Sequence, residues 1–189
     1  QVFVAEGHKL VGDLLGHFPC KLLIATSNWL KMNHSATANE IIEVTQEELS
    51  RASLQKTPQE VLAVFVQPSY DLNPEVIKSS LCLALDDVQD PGNLGTIIRL
   101  ADWFGIEHIF CSTGTADVYN PKTVQATMGA LARVKVHYCS LPQLIESLTD
   151  IPVYGTFLNG NIIYTESLSA HGLIVMGNEG KGVSPEVEK

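Results

Sequence analysis

Two glycine-bearing segments carry the residue types that could do chemistry. The first is Asp86-Asp87-Val88-Gln89-Asp90-Pro91-Gly92-Asn93-Leu94-Gly95-Thr96-Ile97-Ile98-Arg99. Gly92 and Gly95 let the backbone turn tightly and come close to a ligand. Asn93 offers both a donor and an acceptor. Arg99 carries a planar, permanently charged fork that suits a phosphate or hydroxyl held above the loop. The aspartates could bind Mg²⁺ or cap the loop and the helix start. No partner ligand is visible elsewhere, so capping is expected and a metal is not. The second segment is Gly177-Asn178-Glu179-Gly180-Lys181-Gly182, after the apolar run Leu173–Met176. A glycine-rich turn after a strand exposes backbone N–H groups and can receive a nucleotide-like ligand. It is not a P-loop, because Gly182 stands where Ser or Thr should follow Gly180-Lys181, and its order is the reverse of Gly-x-Gly-x-x-Gly. A third segment, Tyr154-Gly155-Thr156, has a strand glycine that marks close approach of a ligand or plain packing. Taken singly, each segment is also compatible with an ordinary turn.

The elements that must position these segments alternate strand and helix, which predicts an α/β architecture. Strands are expected at Val2–Ala5, Cys20–Ala25 and Glu60–Val66, with a helix over Gly7–Leu15 and a capping-box helix start at Thr45-Gln46-Glu47-Glu48. This first unit reads as a compact βαβαβ. Gln67–Ser80, with Pro68 and Pro74, reads as a linker with one helical turn, which places a first domain at 1–67, a linker at 68–80 and a second domain at 81–189. The second opens with Leu81–Leu85, an apolar run typical of a central parallel strand. A loop over Asp86–Asn93 should lead to a helix from about Leu94 to Phe104, with Ile97, Ile98, Ala101 and Phe104 inward and Gly105 at C′. Further strands are expected at Glu107–Cys111, Val134–Cys139, Val153–Leu158 and Leu173–Met176. Helices are expected from the Asn120-Pro121 start to about Leu131, over Leu141–Leu148, and after Ser184-Pro185.

The 189 residues are 45% hydrophobic and 17% charged, a globular composition. No apolar run reaches membrane-span length, and Gln1–Gly7 lacks the features of a signal peptide. The chain does not start with Met and reads as an ordered fragment. Cys20, Cys82, Cys111 and Cys139 form no Cys-x-x-Cys pair, so free thiols in a reducing cytoplasm are expected. The net charge of −9 argues against a general nucleic-acid coat. Residues 1–67 carry five basic against seven acidic residues, and the remainder seven against fourteen.

Together the segments are far more specific than any one. Asp86–Arg99, with Ala101 and Phe104-Gly105 after it, resembles the first signature motif of the SpoU (TrmH-like) family of tRNA and rRNA 2′-O-ribose methyltransferases. Leu173–Ser184 resembles the second motif, and Thr127-Met128-Gly129-Ala130 resembles the small-residue segment between them. Phe3–Gly7 and Thr57-Pro58-Gln59 resemble the substrate-binding domain that many members carry. The resemblance implies a SPOUT fold: a parallel-sheet catalytic domain with a trefoil knot, preceded by a small α/β domain like ribosomal L30e/L7Ae. Periodicity alone could not reveal a knot. The resemblance also implies a homodimer with the active site near its interface, and a third motif with Ser, Leu and Asn that the sequence to Lys189 does not contain.

By the same resemblance, S-adenosylmethionine would lie against Thr156, Met176, Gly177, Asn178 and Gly180. Asn93 and Arg99 would lie over the methyl group and the incoming ribose, and Glu179 would hold Arg99 or the substrate. The RNA would be structured rRNA or tRNA, with guanosine the target by analogy. Two other classes stay open: another nucleotide-binding α/β enzyme such as a dinucleotide oxidoreductase, and a non-catalytic RNA-binding or ribosome-assembly factor.

Overall fold

The computed structural model describes residues 1–189, which build two sheets. In the first, strands β1 (Val2–Glu6), β4 (Val61–Val66), β2 (Cys20–Ala25) and β3 (Glu40–Glu43) lie side by side in that order. β4 runs antiparallel to both β1 and β2, while β3 runs parallel to β2. Helix α1 (His8–Leu14) follows Gly7, whose φ of 99° is one that side chains disfavour, and buries Leu10, Val11 and Leu14. Helix α3 (Gln46–Ala52) begins with the expected capping box, Thr45 and Glu48 each satisfying the other's backbone N–H. The unit holds more than the expected βαβαβ: α2 (Ser27–Met32), capped by Thr26, and the edge strand β3 were not foreseen.

The second sheet is wholly parallel, in the order β7 (Lys135–Tyr138), β6 (His108–Cys111), β5 (Leu81–Leu85), β9 (Gly172–Met176), β8 (Val153–Gly155). Both faces are covered, as the unbroken apolar run of β5 demands. Leu83 and Leu85 point to a larger core beneath α4 (Pro91–Trp103) and α5 (Pro121–Ala126). Cys82 and Ala84 point to a smaller one beneath α6 (Leu141–Ser147) and the 3-10 turn Pro74–Lys78, whose Ile77 is buried. β9 enters between β5 and β8 instead of adding to an edge. The chain then closes with the short helix α7 (Pro185–Glu188).

Four expectations need correction. α4 starts at Pro91, not Leu94: Asp90 caps it, so Gly92 and Asn93 belong to its first turn. Its buried face is Leu94, Gly95, Ile98 and Ala101, whereas Phe104 is 73% exposed because the helix ends before that side chain can turn inward. α5 stops at Ala126, because Met128 and Gly129 take φ values of 52° and 93° before a 3-10 turn over Ala130–Ala132. The strand expected to reach Leu158 ends at Gly155.

The two sheets share one core. The larger cluster runs from Phe3, Leu10 and Phe65 in the first unit to Leu83, Val124 and Leu131 in the second. Phe3 lies on Phe65 with ring centroids 5.5 Å apart and on Tyr119 of the second unit at 5.1 Å. The Gly129 backbone comes so close to α1 that a Cβ there would meet Asp13 Oδ2 at 2.6 Å. All four cysteines are free, and no helix is long and apolar enough to cross a membrane.

Candidate functional site

The chemistry-bearing segments meet at the carboxyl ends of β5, β8 and β9, where open parallel sheets place ligands. The chain leaving β5 is held at each aspartate. Asp86 is buried, and its carboxylate accepts the Ser184 N–H at 2.7 Å. Asp87 adopts a φ of 58°, and its carbonyl accepts Asn178 Nδ2 at 2.7 Å. Asp90 accepts the Asn93 N–H at 2.8 Å and Lys122 Nζ at 3.1 Å. These two contacts, the backbone N–H first, hold its carboxyl below the usual carboxylate range. The aspartates diverge onto separate partners, so they act as ties and a cap.

Asn93, in the first turn of α4, donates from Nδ2 to Glu179 Oε1 at 3.0 Å across 86 residues of sequence. That hydrogen bond leads the causes that hold Glu179 below its ordinary value. Arg99 stands exposed on α4, outside every ion pair of the chain. Glu179 therefore pairs with Asn93 and not with Arg99, one of the two partners the resemblance allowed. Arg99 lies one turn beyond Gly95, the residue that lets α4 meet α5; a Cβ on Gly95 would come within 2.6 Å of the Thr123 carbonyl.

The glycine turn after β9 is built differently from expectation. Asn178 and Gly182 exchange both backbone hydrogen bonds at 2.9 Å. Asn178 Oδ1 also accepts the N–H groups of Gly180 and Lys181 at 2.9 and 3.0 Å. A Cβ on Gly177 would collide with the Gly182 backbone, so only glycine fits there. Most N–H groups of the turn are thus satisfied internally. The carbonyls of Gly177, Glu179 and Gly180 accept no hydrogen bond from the chain. The turn offers acceptors to a ligand, the reverse of a phosphate cradle.

Thr156, Gly177, Asn178, Glu179 and Gly180 line one cleft of about 1160 Å³. Thr156 is anchored by its N–H and hydroxyl to the Val175 carbonyl, both at 3.1 Å. Met176 is not part of that lining: its side chain packs against the larger core and its carbonyl accepts the Asp86 N–H at 2.8 Å. The far wall was missed in the sequence. It is the loop after β8, with Phe157, Leu158, Ile163 and Leu168 facing the cleft. The available signal was the run Phe157-Leu158 and Ile162-Ile163-Tyr164, apolar residues too dense for a solvated loop.

A donor–acceptor pair, a free guanidinium and a cleft with carbonyl acceptors suit binding of a nucleoside that lacks phosphates beside a phosphate-bearing second substrate. They suit a dinucleotide poorly, because the Asp90 carboxylate occupies the α4 N-terminus where a pyrophosphate would sit.

Comparison with known proteins identifies related chains. Residues 80–189 match the family model described as the SpoU rRNA Methylase family, and residues 1–63 match the MRM3-like substrate binding domain. The chain is 34% identical over 187 residues to the 23S rRNA (guanosine(2553)-2′-O)-methyltransferase RlmP of Bacillus subtilis, covering 97% of this chain and 74% of that one. Its structure is similar to that of a Porphyromonas gingivalis protein described as an RNA methyltransferase of the TrmH family, with a TM-score of 0.88 and 43% identity over 100% of this chain and 76% of the other. It is also similar to an AdoMet-bound rRNA methyltransferase from Sinorhizobium meliloti, with a TM-score of 0.82 and 31% identity over 99% of this chain and 74% of that one.

Proposed function

Because this chain belongs to the SpoU rRNA Methylase family, we propose that it transfers a methyl group from S-adenosylmethionine to a ribose 2′-OH of ribosomal RNA. The observation that carries the reading is the Asn93–Glu179 pair at the rim of the cleft between the glycine turn and the loop after β8.

The cleft fits the methyl donor by its own chemistry. Free carbonyls at Gly177, Glu179 and Gly180 suit an exocyclic amine and a cationic centre. The apolar side chains of the far wall suit a flat ring. When bound, S-adenosylmethionine supplies an electrophilic methyl group. Thr156, Gly177 and Gly180 line its seat, and Asn178 acts mainly by holding the turn and tying it to Asp87. Met176 supports from behind.

Asn93 is oriented by Glu179 and positions the ribose through its amide. Arg99 presents a planar fork of donors that matches phosphate geometry. Its role is to hold the phosphate beside the target ribose and align the hydroxyl. Glu179, held anionic, keeps Asn93 in place, and the hydroxyl proton leaves to a phosphate oxygen of the RNA. The first unit, taken as 1–67 with a linker at 68–80, positions the RNA beside the catalytic unit at 81–189. The insertion of β9 between β5 and β8 fits the knotted topology of the family.

We also propose a homodimer. Beside Arg99, α4 ends in Leu100, Trp103 and Phe104, which are 51%, 83% and 73% exposed. An apolar stripe of that size on a catalytic helix marks an interaction surface, and a second copy covering it brings the subunit boundary to the site. Four free thiols fit work in the cytoplasm. The test is methyl incorporation from labelled S-adenosylmethionine into 23S rRNA, with nuclease mapping of the 2′-O-methyl position. Absence of incorporation, or a label on a base, would overturn the reading.

A further inference from the structure

Twelve Lys and Arg face twenty-one Asp and Glu in this chain, so where RNA phosphates can be gripped is a narrow question. Several cations are already engaged: Arg51 by Glu47, Lys78 by Glu75, and Arg133 by both oxygens of Asp102. Lys122 is placed differently. It reaches over the first turn of α4, 3.1 Å from Asp90, and its Nζ is 3.8 Å from where a Cβ on Gly92 would stand, one residue before Asn93. It remains exposed, with donors to spare.

One turn along the exposed face of α5 comes Gln125, whose Oε1 accepts Gln55 Nε2 from the first unit at 2.9 Å. The loop that carries Gln55 is pinned from beneath. Glu6 is buried, and its carboxylate accepts the Ser53 hydroxyl and, at 2.9 Å, the Leu54 N–H. A buried carboxylate demands such partners, and here they fix an otherwise irregular loop against α5. Leu54 and Lys56 stay exposed on it, and Lys56 makes no ion pair.

We propose that Lys122 and Gln125, continued by Gln55 and Lys56, form a track for the RNA strand that flanks the methylated ribose. The proposal rests on the methyltransferase reading above. Lys122 and Lys56 hold phosphates at the two ends, while the glutamines meet sugars or base edges between them. The track links the Asn93 site to the first unit through the Gln55–Gln125 hydrogen bond.

The experiment measures binding of a 23S rRNA transcript to the full chain across a range of salt concentrations. It compares the wild type with Lys56→Gln/Lys122→Gln and with Lys56→Gln alone. The double variant should weaken binding roughly tenfold and flatten the slope of log K against log salt by about 1.5, near the sum for two lost phosphate contacts. Lys56→Gln, remote from the Asp90 contact, should produce about half of that slope change, with the loss falling on KM for RNA more than on kcat. Lys122→Arg, which keeps both positive charges of the track, should leave the slope near the wild-type value. S-adenosylhomocysteine affinity measured by calorimetry separates the track from general damage, since it should hold in every variant. Unchanged affinity and slope in both neutralised variants, in a protein that still methylates, would overturn the track alone. Failure of the wild type to incorporate methyl would instead overturn the reading beneath it.

Discussion

Asp90 binds the first turn of α4 and Lys122 at once, while Asn93, three residues on, is turned toward Glu179. A side chain whose amide nitrogen is held and whose amide oxygen is left for the substrate aligns it better than an untethered one, and this decides the expected phenotypes. Arg99→Ala removes the free guanidinium from an exposed position, so methyl transfer should fall at least about a hundredfold while S-adenosylhomocysteine binding persists. Turnover near the wild-type rate in Arg99→Ala would remove that residue from the mechanism. Glu179→Gln keeps the shape but loses the charge that orders Asn93, so kcat should fall with little change in KM for cofactor. The pH dependence follows from the same pair. Its contribution is present above the ordinary carboxylate pKa and fades only as pH falls through the depressed folded value. Activity profiles between about pH 5 and 8 should therefore show no limb that Glu179→Gln abolishes.

At the scale of elements, α4 and α5 set the geometry, and their contact depends on Gly95. Gly95→Val would push a side chain against the Thr123 carbonyl and Ala126. Overpacking of this kind costs about 1–3 kcal/mol, and the melting temperature should drop by roughly 2–4 °C for each kcal/mol. A variant as stable as the wild type would mean that the helices do not meet as described. Elements with long apolar runs or complete caps were legible in the sequence, such as β2, β5 and the α3 capping box. β3 was not, because its four residues are all exposed and carry no alternation. α2 is six residues long and buries only Trp29, too little for a period. The α4 start carried the same cap-and-proline signal that was read correctly at Asn120-Pro121, but Gly92 and Gly95 suggested a longer loop. The glycines serve close packing there, which only the fold reveals. In the candidate site the residue types were legible and their partnerships were not: Asn93 and Glu179 meet across 86 residues, and Asn178 stabilises its own turn through bonds that no local pattern announces.

Across the whole molecule, the shared core ties the first unit to the catalytic sheet. Phe3 lies between Phe65 and Tyr119, so Phe3→Ala should destabilise by about 3–5 kcal/mol. Calorimetry should show both units melting together; two separate transitions would contradict a common core. A second coupling lies under the linker, where His137 stacks on Phe110, meets His108 Nδ1 at 3.1 Å and lies beside Tyr70. Burial first, then His108 and Lys135, push the His137 pKa down to about 4. The unfolded chain binds that proton more readily, so stability should decline as pH falls from about 6.5 toward 4. His137→Phe should flatten that decline in urea titrations, and an unaltered slope would exclude His137 as its source. Trp103→Glu, placed in the exposed stripe of α4, should shift the protein from dimer to monomer in light scattering. The central claim, ribose methylation of rRNA, is tested most directly by mass-spectrometric mapping of 2′-O-methyl nucleotides in rRNA from cells with and without the gene. The account predicts that one 2′-O-methylated rRNA nucleotide disappears with the gene and returns with the wild type but not with Arg99→Ala. An identical rRNA methylation map in the two strains would contradict it.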